Sequence, residues 1–550
     1  MALTSEMAPN SAAADQLKTP GLRLFLGLLG VFLVLAVPSL LKGGLYIGQH
    51  EGDTLHLLDI TFRMAAGQTP HVDFMTPIGA WAFSPIAAFL KMGFGIGHAL
   101  IYAQVAVAAA LMPAIWWTAQ SRFAGIFSYL FGALVLMFCL ALVHGTAQST
   151  VSISMHYNRW AWAIAFIAIA LAVLPAKTRF SNVDAVLIAA MMFALGMIKV
   201  TYFVAFAPAV IVGLVRHGGL RALLVALSVG ILAMAVRTGL YGFDYWMRYI
   251  GDLAAVSGSE VRAAPGHGFD AILASPNYLG ASFAALAGVI FLRQGRKATE
   301  GLLLLLLLPG FWYVTYQNFG NDSQWLPLVA LMLMMARPAV DVVSGLGWNM
   351  RQAITMTALA TFCFGLPSVL NLVYSPLRHF GKEAENFTPI LPNRPEHADL
   401  LALEIRMNQL DARVGFDTPD SGLPVYSERE DTSKWRGADL PVCEMELGMS
   451  AWFATVAEDL NANGFAGSGI FTADLLGGLW IYGNFRPITG AAPWYYGGLP
   501  GLKDADYVLI PQCPTSMDIR AQVIETLEET KVPLELARET PLYILERVAR

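Results

Sequence analysis

Residues 47–79, IGQHEGDTLHLLDITFRMAAGQTPHVDFMTPIG, place four carboxylates (Glu51, Asp53, Asp59 and Asp73) and three histidines in an otherwise oily chain. A carboxylate held at a membrane surface is able to take a proton from an incoming hydroxyl. The same residues also have a structural reading. Thr54 is placed to cap a helix running to Ala66, with Glu51 and Asp53 as favourable charges at its N-terminus. Cations follow further along: Arg159 in HYNRW, Lys199 in MIKVTY, Arg237, and Arg248 in YWMRY. Near the ends of membrane helices such side chains snorkel to the surface. Several of them on one side suit an anionic head group, because Arg offers phosphate a planar fork and Lys a point charge. His156 completes that set, although a lone histidine is more often structural. His56, Asp59 and His71 lack the HxxxH or Cys/His spacing of a zinc site. A hard divalent cation on Glu51 and Asp53 is the metal option left open. No Gly-x-Gly-x-x-Gly after a strand, phosphate-binding P-loop or serine nucleophile elbow is present, which argues against soluble nucleotide chemistry; no nucleic-acid partner is expected.

The elements that must position these groups are mostly apolar. The chain has 550 residues, 56% hydrophobic and 14% charged, with a mean hydropathy of +0.54. Soluble domains carry about 25% charged residues, so the deficit points to lipid. Apolar stretches recur from Gly21 to about Leu372, each long enough to approach the thickness of a hydrocarbon core. After Tyr374 the character changes. Residues 375–550 hold 15 Lys+Arg and 26 Asp+Glu, a net of −11, and the first 374 hold 20 and 14, a net of +6. The fold class is therefore a polytopic α-helical membrane protein with a C-terminal α/β soluble domain. Its expected parts are a cytoplasmic tail (1–20), a transmembrane domain (21–374) with an outer loop at 43–97, and an extracytoplasmic domain (375–550).

Eleven spans are predicted: 21–41, 98–117, 125–144, 160–175, 183–198, 201–215, 221–240, 279–292, 301–316, 324–336 and 352–372. The short, Pro85-containing segment 78–95 decides the side of every later loop. Read as a re-entrant or interfacial helix, it leaves 12 of the 20 Lys and Arg residues on the cytoplasmic side, Lys18 and Arg23 among them; read as a span, it leaves eight. The bias of positive residues toward the cytoplasm selects the first threading. Segment 183–215 is then a tight hairpin with Lys199 at its tip. The outer side gathers the 43–97 loop, TVSISMHYNRW, Lys199, residues 243–270 and residues 317–325. The apolar run at 21–41 is read as an uncleaved first span, since Val37-Pro38-Ser39 is a poor cleavage site. Cys443 and Cys513 fall in the soluble domain, where either a disulfide or two free thiols is open.

With these groups on one face, the chain resembles the GT-C superfamily, multi-pass glycosyltransferases that use a dolichyl- or polyprenyl-phosphate-linked sugar. The resemblance is carried by EGD after the first span, AAGQTPHVDFMTPIG, YNR at the outer start of a span, and the lysine of MIKVTY. It covers about the first 200 residues and the overall architecture. The DE and KPP forms of the protein mannosyltransferase and lipid A aminoarabinose transferase branches are absent. The resemblance implies Asp53 as general base, with Glu51 or Asp73 as a second carboxylate, in an inverting transfer to an acceptor hydroxyl. It also implies Arg159, Lys199 and Arg248 on the leaving lipid phosphate, with His156 and Tyr157 lining the pocket. The expected partners are a lipid-linked sugar donor, a glycan, lipid or protein acceptor, and membrane lipids, in the cell (inner) membrane.

In the soluble domain, MSAWFATVAEDLNANG and DIRAQVIETLEET read as helices. GSGIFTADLL, DADYVLIPQC and PLYILERV read as strands, an alternation that suggests a small α/β domain. The aromatic stretch 479–498 suits either sugar stacking or docking onto the membrane part. A transporter or flippase of an anionic or lipid-linked substrate is the competing class, disfavoured by the lack of an internal repeat and by polar groups gathered on one face. A non-catalytic assembly or receptor protein is a third.

Overall fold

The computed structural model describes residues 21–145, 148–259, 261, 270, 274–317, 322–408, 411–414 and 433–549. The expected tail 1–20 with Lys18, and parts of the 243–270 and 317–325 loops, lie outside the described residues. Each of the eleven apolar segments is helical over most of its length, although the one expected at 125–144 ends at Leu140. In chain order the helices up to residue 380 are α1 (Gly21–Leu41), α2 (Glu51–Ala65), α3 (Ser84–Lys91), α4 (Ile96–Arg122), α5 (Ile126–Leu140), α6 (His156–Val173), α7 (Asn182–Ile198), α8 (Val200–Tyr241), α9 (Asp244–Ser257), α10 (Pro276–Gln294), α11 (Ala298–Tyr316), α12 (Leu326–Met335) and α13 (Met350–Phe380). Five of them (α1, α4, α8, α11 and α13) are long and apolar enough to cross a membrane, and α5, α7 and α12 are apolar but shorter.

Local chemistry explains where these helices break. α8 contains two of the expected spans, separated at Gly219, whose φ of 70° only glycine adopts without strain. Lys199, with φ −152° and ψ 102°, interrupts the helix between α7 and α8. The arms fold back on each other, because Phe180 at the start of one lies against Gly218 near the end of the other. Helix α3 has eight residues, a rise of about 12 Å at 1.5 Å per residue, too short to cross about 30 Å of hydrocarbon. Two expectations need correction. The span expected at 324–336 shrinks to the ten residues of α12, because Trp325 turns into the bundle, stacks on Phe311 at 5.1 Å and donates to Thr315. Helix α2 begins at Glu51 rather than after Thr54, since His50 takes the left-handed N-cap position at φ 66°. The Thr54 hydroxyl bonds back to the His50 carbonyl, a mid-helix use of threonine rather than a cap.

The bundle has two distinct ends. At one, which we call the open end, Trp116 donates to the Gly21 carbonyl, Lys177 N–H to Ser121, and Arg216 to Thr299. There Arg122 meets Asp184 at 3.1 Å with both side chains buried. At the other, the capped end, Leu142 N–H donates to Ser375, Gly79 N–H to Ile198 and Tyr249 to Gly196. The chain alternates between these ends in the order that the eleven segments require.

The C-terminal region closes over the capped end. Strand β1 (Leu45–Ile47), just after α1, runs parallel to β3 (Leu400–Leu403), which pairs antiparallel with β2 (Phe387–Pro389). Beyond α14 (Glu404–Asn408), β4 (Asp411–Val414) pairs with β5 (Cys443–Leu447), and α15 spans Met449–Ala462. The main sheet contains β6 (Ile470–Thr472), β7 (Tyr507–Pro511), β8 (Leu534–Glu539) and β9 (Tyr543–Val548), in the order β8-β9-β7-β6, with only β6 and β7 parallel. Helix α16 (Met517–Glu529) starts at a Ser516 cap. Three of these strands and both helices match the α/β reading; β8 and the β1-β3-β2 sheet do not appear in it. Asp399 fastens the two parts together by accepting from the N–H groups of Gly97 and His98, at 3.1 and 2.8 Å, at the start of α4.

Candidate functional site

The polar groups of the capped end converge on residues 152–159, SISMHYNR. Met155, at φ 50°, turns this segment into α6. Before the turn, the Ser154 hydroxyl donates to the Asp53 carboxylate. Its backbone N–H donates to Ser152, whose hydroxyl lies 2.9 Å from Nδ1 of His50. After the turn, Asn158 accepts from Nζ of Lys199 at 3.0 Å, and the ammonium also sits 5.3 Å from the centre of the Tyr157 ring. Arg159, fully buried, donates to the carbonyls of Val143 (2.5 Å) and Ser154 (3.4 Å). Its Nη2 has no hydrogen-bond partner among the described residues. Thus the segment of six residues from Ser154 to Arg159 links the first turn of α2 with the tip of the α7–α8 hairpin.

The other expected site residues are placed differently. Glu51 forms a two-pronged ion pair with Arg406 of α14, at 2.6 and 3.0 Å. Asp73 accepts from Thr69 N–H at 2.6 Å, and its own carbonyl accepts from Gly490, so it organises a turn under the C-terminal domain. His156 is buried, with Nε2 against the Ala82 carbonyl at 2.8 Å and its ring edge-on to Trp160. Arg248 is exposed on α9 and is not brought to the cluster. Glu51 and Asp53 therefore serve different partners. Among the described residues no three His, Cys, Asp or Glu side chains gather as a metal site would need.

Sequence reasoning missed the residues that hold the candidates. Arg406 lies 355 positions from Glu51, and Ser154 is 101 from Asp53. It also missed the partners of His71, whose Nδ1 meets Asp252 at 2.9 Å and whose ring stacks obliquely on Tyr249 at 4.3 Å. Burial lowers the pKa of His71 against the pull of Asp252. Burial likewise lowers His50 against Asp53 and Glu51, and brings His144, 4.8 Å from the His50 ring, down to about 3. These histidines are neutral at pH 7, so they add no positive charge beside Asp53.

The aromatic stretch 479–498 docks rather than standing free. Trp480 donates to Asp59 and stacks beside Arg63, which itself donates to the Ile488 carbonyl. Trp494 packs 5.4 Å from His56. A narrow polar cleft between α2 and this stretch is lined by Asp59, Arg63, Asp474 and Trp480.

No family model matches the sequence, and no curated protein matches it. Among solved structures the chain is similar to ArnT from Cupriavidus metallidurans in the apo state, over 98% of both chains, with 10% sequence identity and a TM-score of 0.42.

Proposed function

We propose that this chain is a membrane glycosyltransferase of the GT-C type, with the capped end facing outward from the cell membrane. It takes a sugar from a polyprenyl-phosphate donor and passes it to an acceptor hydroxyl with inversion. The observation that carries this reading is the Ser154–Arg159 segment, which holds an oriented carboxylate and an oriented ammonium on neighbouring elements at one bundle end. Asp53 accepts the acceptor proton as the hydroxyl oxygen attacks the anomeric carbon. The bond from that carbon to the phosphate oxygen breaks, and the lipid phosphate leaves as an anion. Ser154 orients Asp53 without neutralising it. Lys199 and the uncommitted Nη2 of Arg159 supply positive potential to the leaving phosphate, where charge develops in the transition state. Tyr157 forms a wall of the pocket, His156 fixes the start of α6, and Glu51 and Asp73 hold the surrounding loop. Arg248 has no part in that step.

The test is release and transfer of sugar from a panel of polyprenyl-phosphate sugars by the purified protein, with Asp53→Asn alongside. Asp53→Asn is expected to lose both. Absence of both reactions in the wild type over the whole panel, with lipid movement retained, favours a flippase instead. A reporter fused after Arg550 is expected to be active outside the cell membrane, and cytoplasmic activity overturns the orientation.

A further inference from the structure

We infer that Cys443 and Cys513 form a disulfide in the cell, closing a covalent staple that holds the α14–β5 segment, and with it Arg406, onto the main sheet. The inference rests on the outward placement of the C-terminal domain, because disulfides persist in oxidising compartments. The geometry is specific. Met445 N–H donates to the Pro514 carbonyl at 2.8 Å, and the Cys443 thiol points at the Gln512 carbonyl at 3.8 Å. Residues 443–445 and 512–514 therefore run side by side. The two thiols are close enough to interact directly, and both are half-buried and free in the structure. Arg520 clamps the same two segments, donating to the carbonyls of Pro511 and Gln512 on one side and of Pro441 on the other. Its charge lies beside the sulfur pair, opposed by the nearby Asp474.

The consequence reaches the candidate site. β5 pairs with β4 just after α14, and Gly448 N–H, at the end of β5, donates to the Arg406 carbonyl at 2.9 Å. Arg406 in turn holds Glu51 in the first turn of α2. A bond at Cys443 thus fixes the strand from which this clamp extends. Formation requires an oxidant, which we assign to a protein disulfide of the oxidising compartment. One thiolate attacks it to give a mixed disulfide, and the second cysteine displaces the reduced partner. Two protons and two electrons leave the cysteine pair, and the partner is recovered as a dithiol.

The test is peptide mapping of the full chain, isolated from membranes that were acid-quenched and alkylated before any reductant was added. The expected result is a Cys443–Cys513 cross-linked peptide, released by dithiothreitol and lost in Cys443→Ser and Cys513→Ser. The double variant Cys443→Ser/Cys513→Ser, which leaves no odd thiol, is expected to melt several degrees lower than the oxidised wild type. Full alkylation of both cysteines without reductant overturns the inference. The Arg550 reporter separates the two failures. Alkylated thiols with an outward reporter reject the staple alone, whereas alkylated thiols with a cytoplasmic reporter reject the orientation as well.

Discussion

At the open end of the bundle, Arg122 and Asp184 lie 3.1 Å apart, 0% and 1% exposed, and Asp184 also accepts from Trp117 and Ser181. At the capped end, Asp53 accepts from the hydroxyl of Ser154, Lys199 donates to the amide of Asn158, and Arg159 donates to backbone carbonyls. In the first region opposite charges meet, and the pair is spent on holding α4 to α7. In the second, a hydroxyl orients the carboxylate, an amide accepts from the ammonium, and backbone carbonyls accept from the guanidinium. Glu51, two residues from Asp53, belongs with the first kind because Arg406 neutralises it. The contrast separates a structural ion pair from a poised group, and it does so for two carboxylates in the same helical turn.

Several experiments break or sharpen this contrast. Asp53→Asn is expected to lower the transfer rate by about 10²–10⁴-fold, the usual contribution of a positioned general base, while leaving the melting temperature close to wild type. The reverse is expected at the open end. Asp184→Ala leaves Arg122 buried and unpaired, a loss of about 3–5 kcal/mol, seen in thermal unfolding in detergent. Lys199→Met is expected to raise the KM for the donor by about tenfold to a hundredfold, the worth of one hydrogen bond to a charged group, with a smaller effect on fold. Titration supplies a subtler test. Because His144 and His50 have lowered pKa values when folded, the unfolded chain binds more protons between their folded values and about 6.5. Stability is then lost as pH falls below about 6.5, and His144→Gln is expected to flatten that slope in melting curves. The smallest effect is expected for Arg406→Ala. Its ion pair is about one-third exposed on the arginine side, so its loss is expected to cost no more than about 1 kcal/mol and little activity.

The membrane part was legible in the sequence because lipid imposes one simple rule, long apolar helices. Even the single-residue break at Lys199 and the non-spanning helix α3 follow from short local patterns. α2 was placed four residues late because Thr54 has the composition of a cap while His50, an unusual left-handed residue, takes the position. Within the site, Asp53 and Lys199 stood out as charges in oily surroundings. Their holders did not, because Ser154 and Asn158 are ordinary polar residues whose role depends on a turn at Met155. The contacts of Glu51 with Arg406, and of Asp399 with α4, join positions about 300 or more residues apart. No local pattern encodes such pairs. Arg248 shows the converse: an aromatic, basic stretch that looks like a phosphate site forms a helix with the arginine on its exposed face.

The most direct test is the anomeric configuration and yield of the product formed from one polyprenyl-phosphate sugar, followed by NMR for wild type and for Asp53→Asn of equal melting temperature. The account predicts a single product of inverted configuration from the wild type and almost none from the variant. Product formed by Asp53→Asn at the wild-type rate, or retention of configuration, contradicts it.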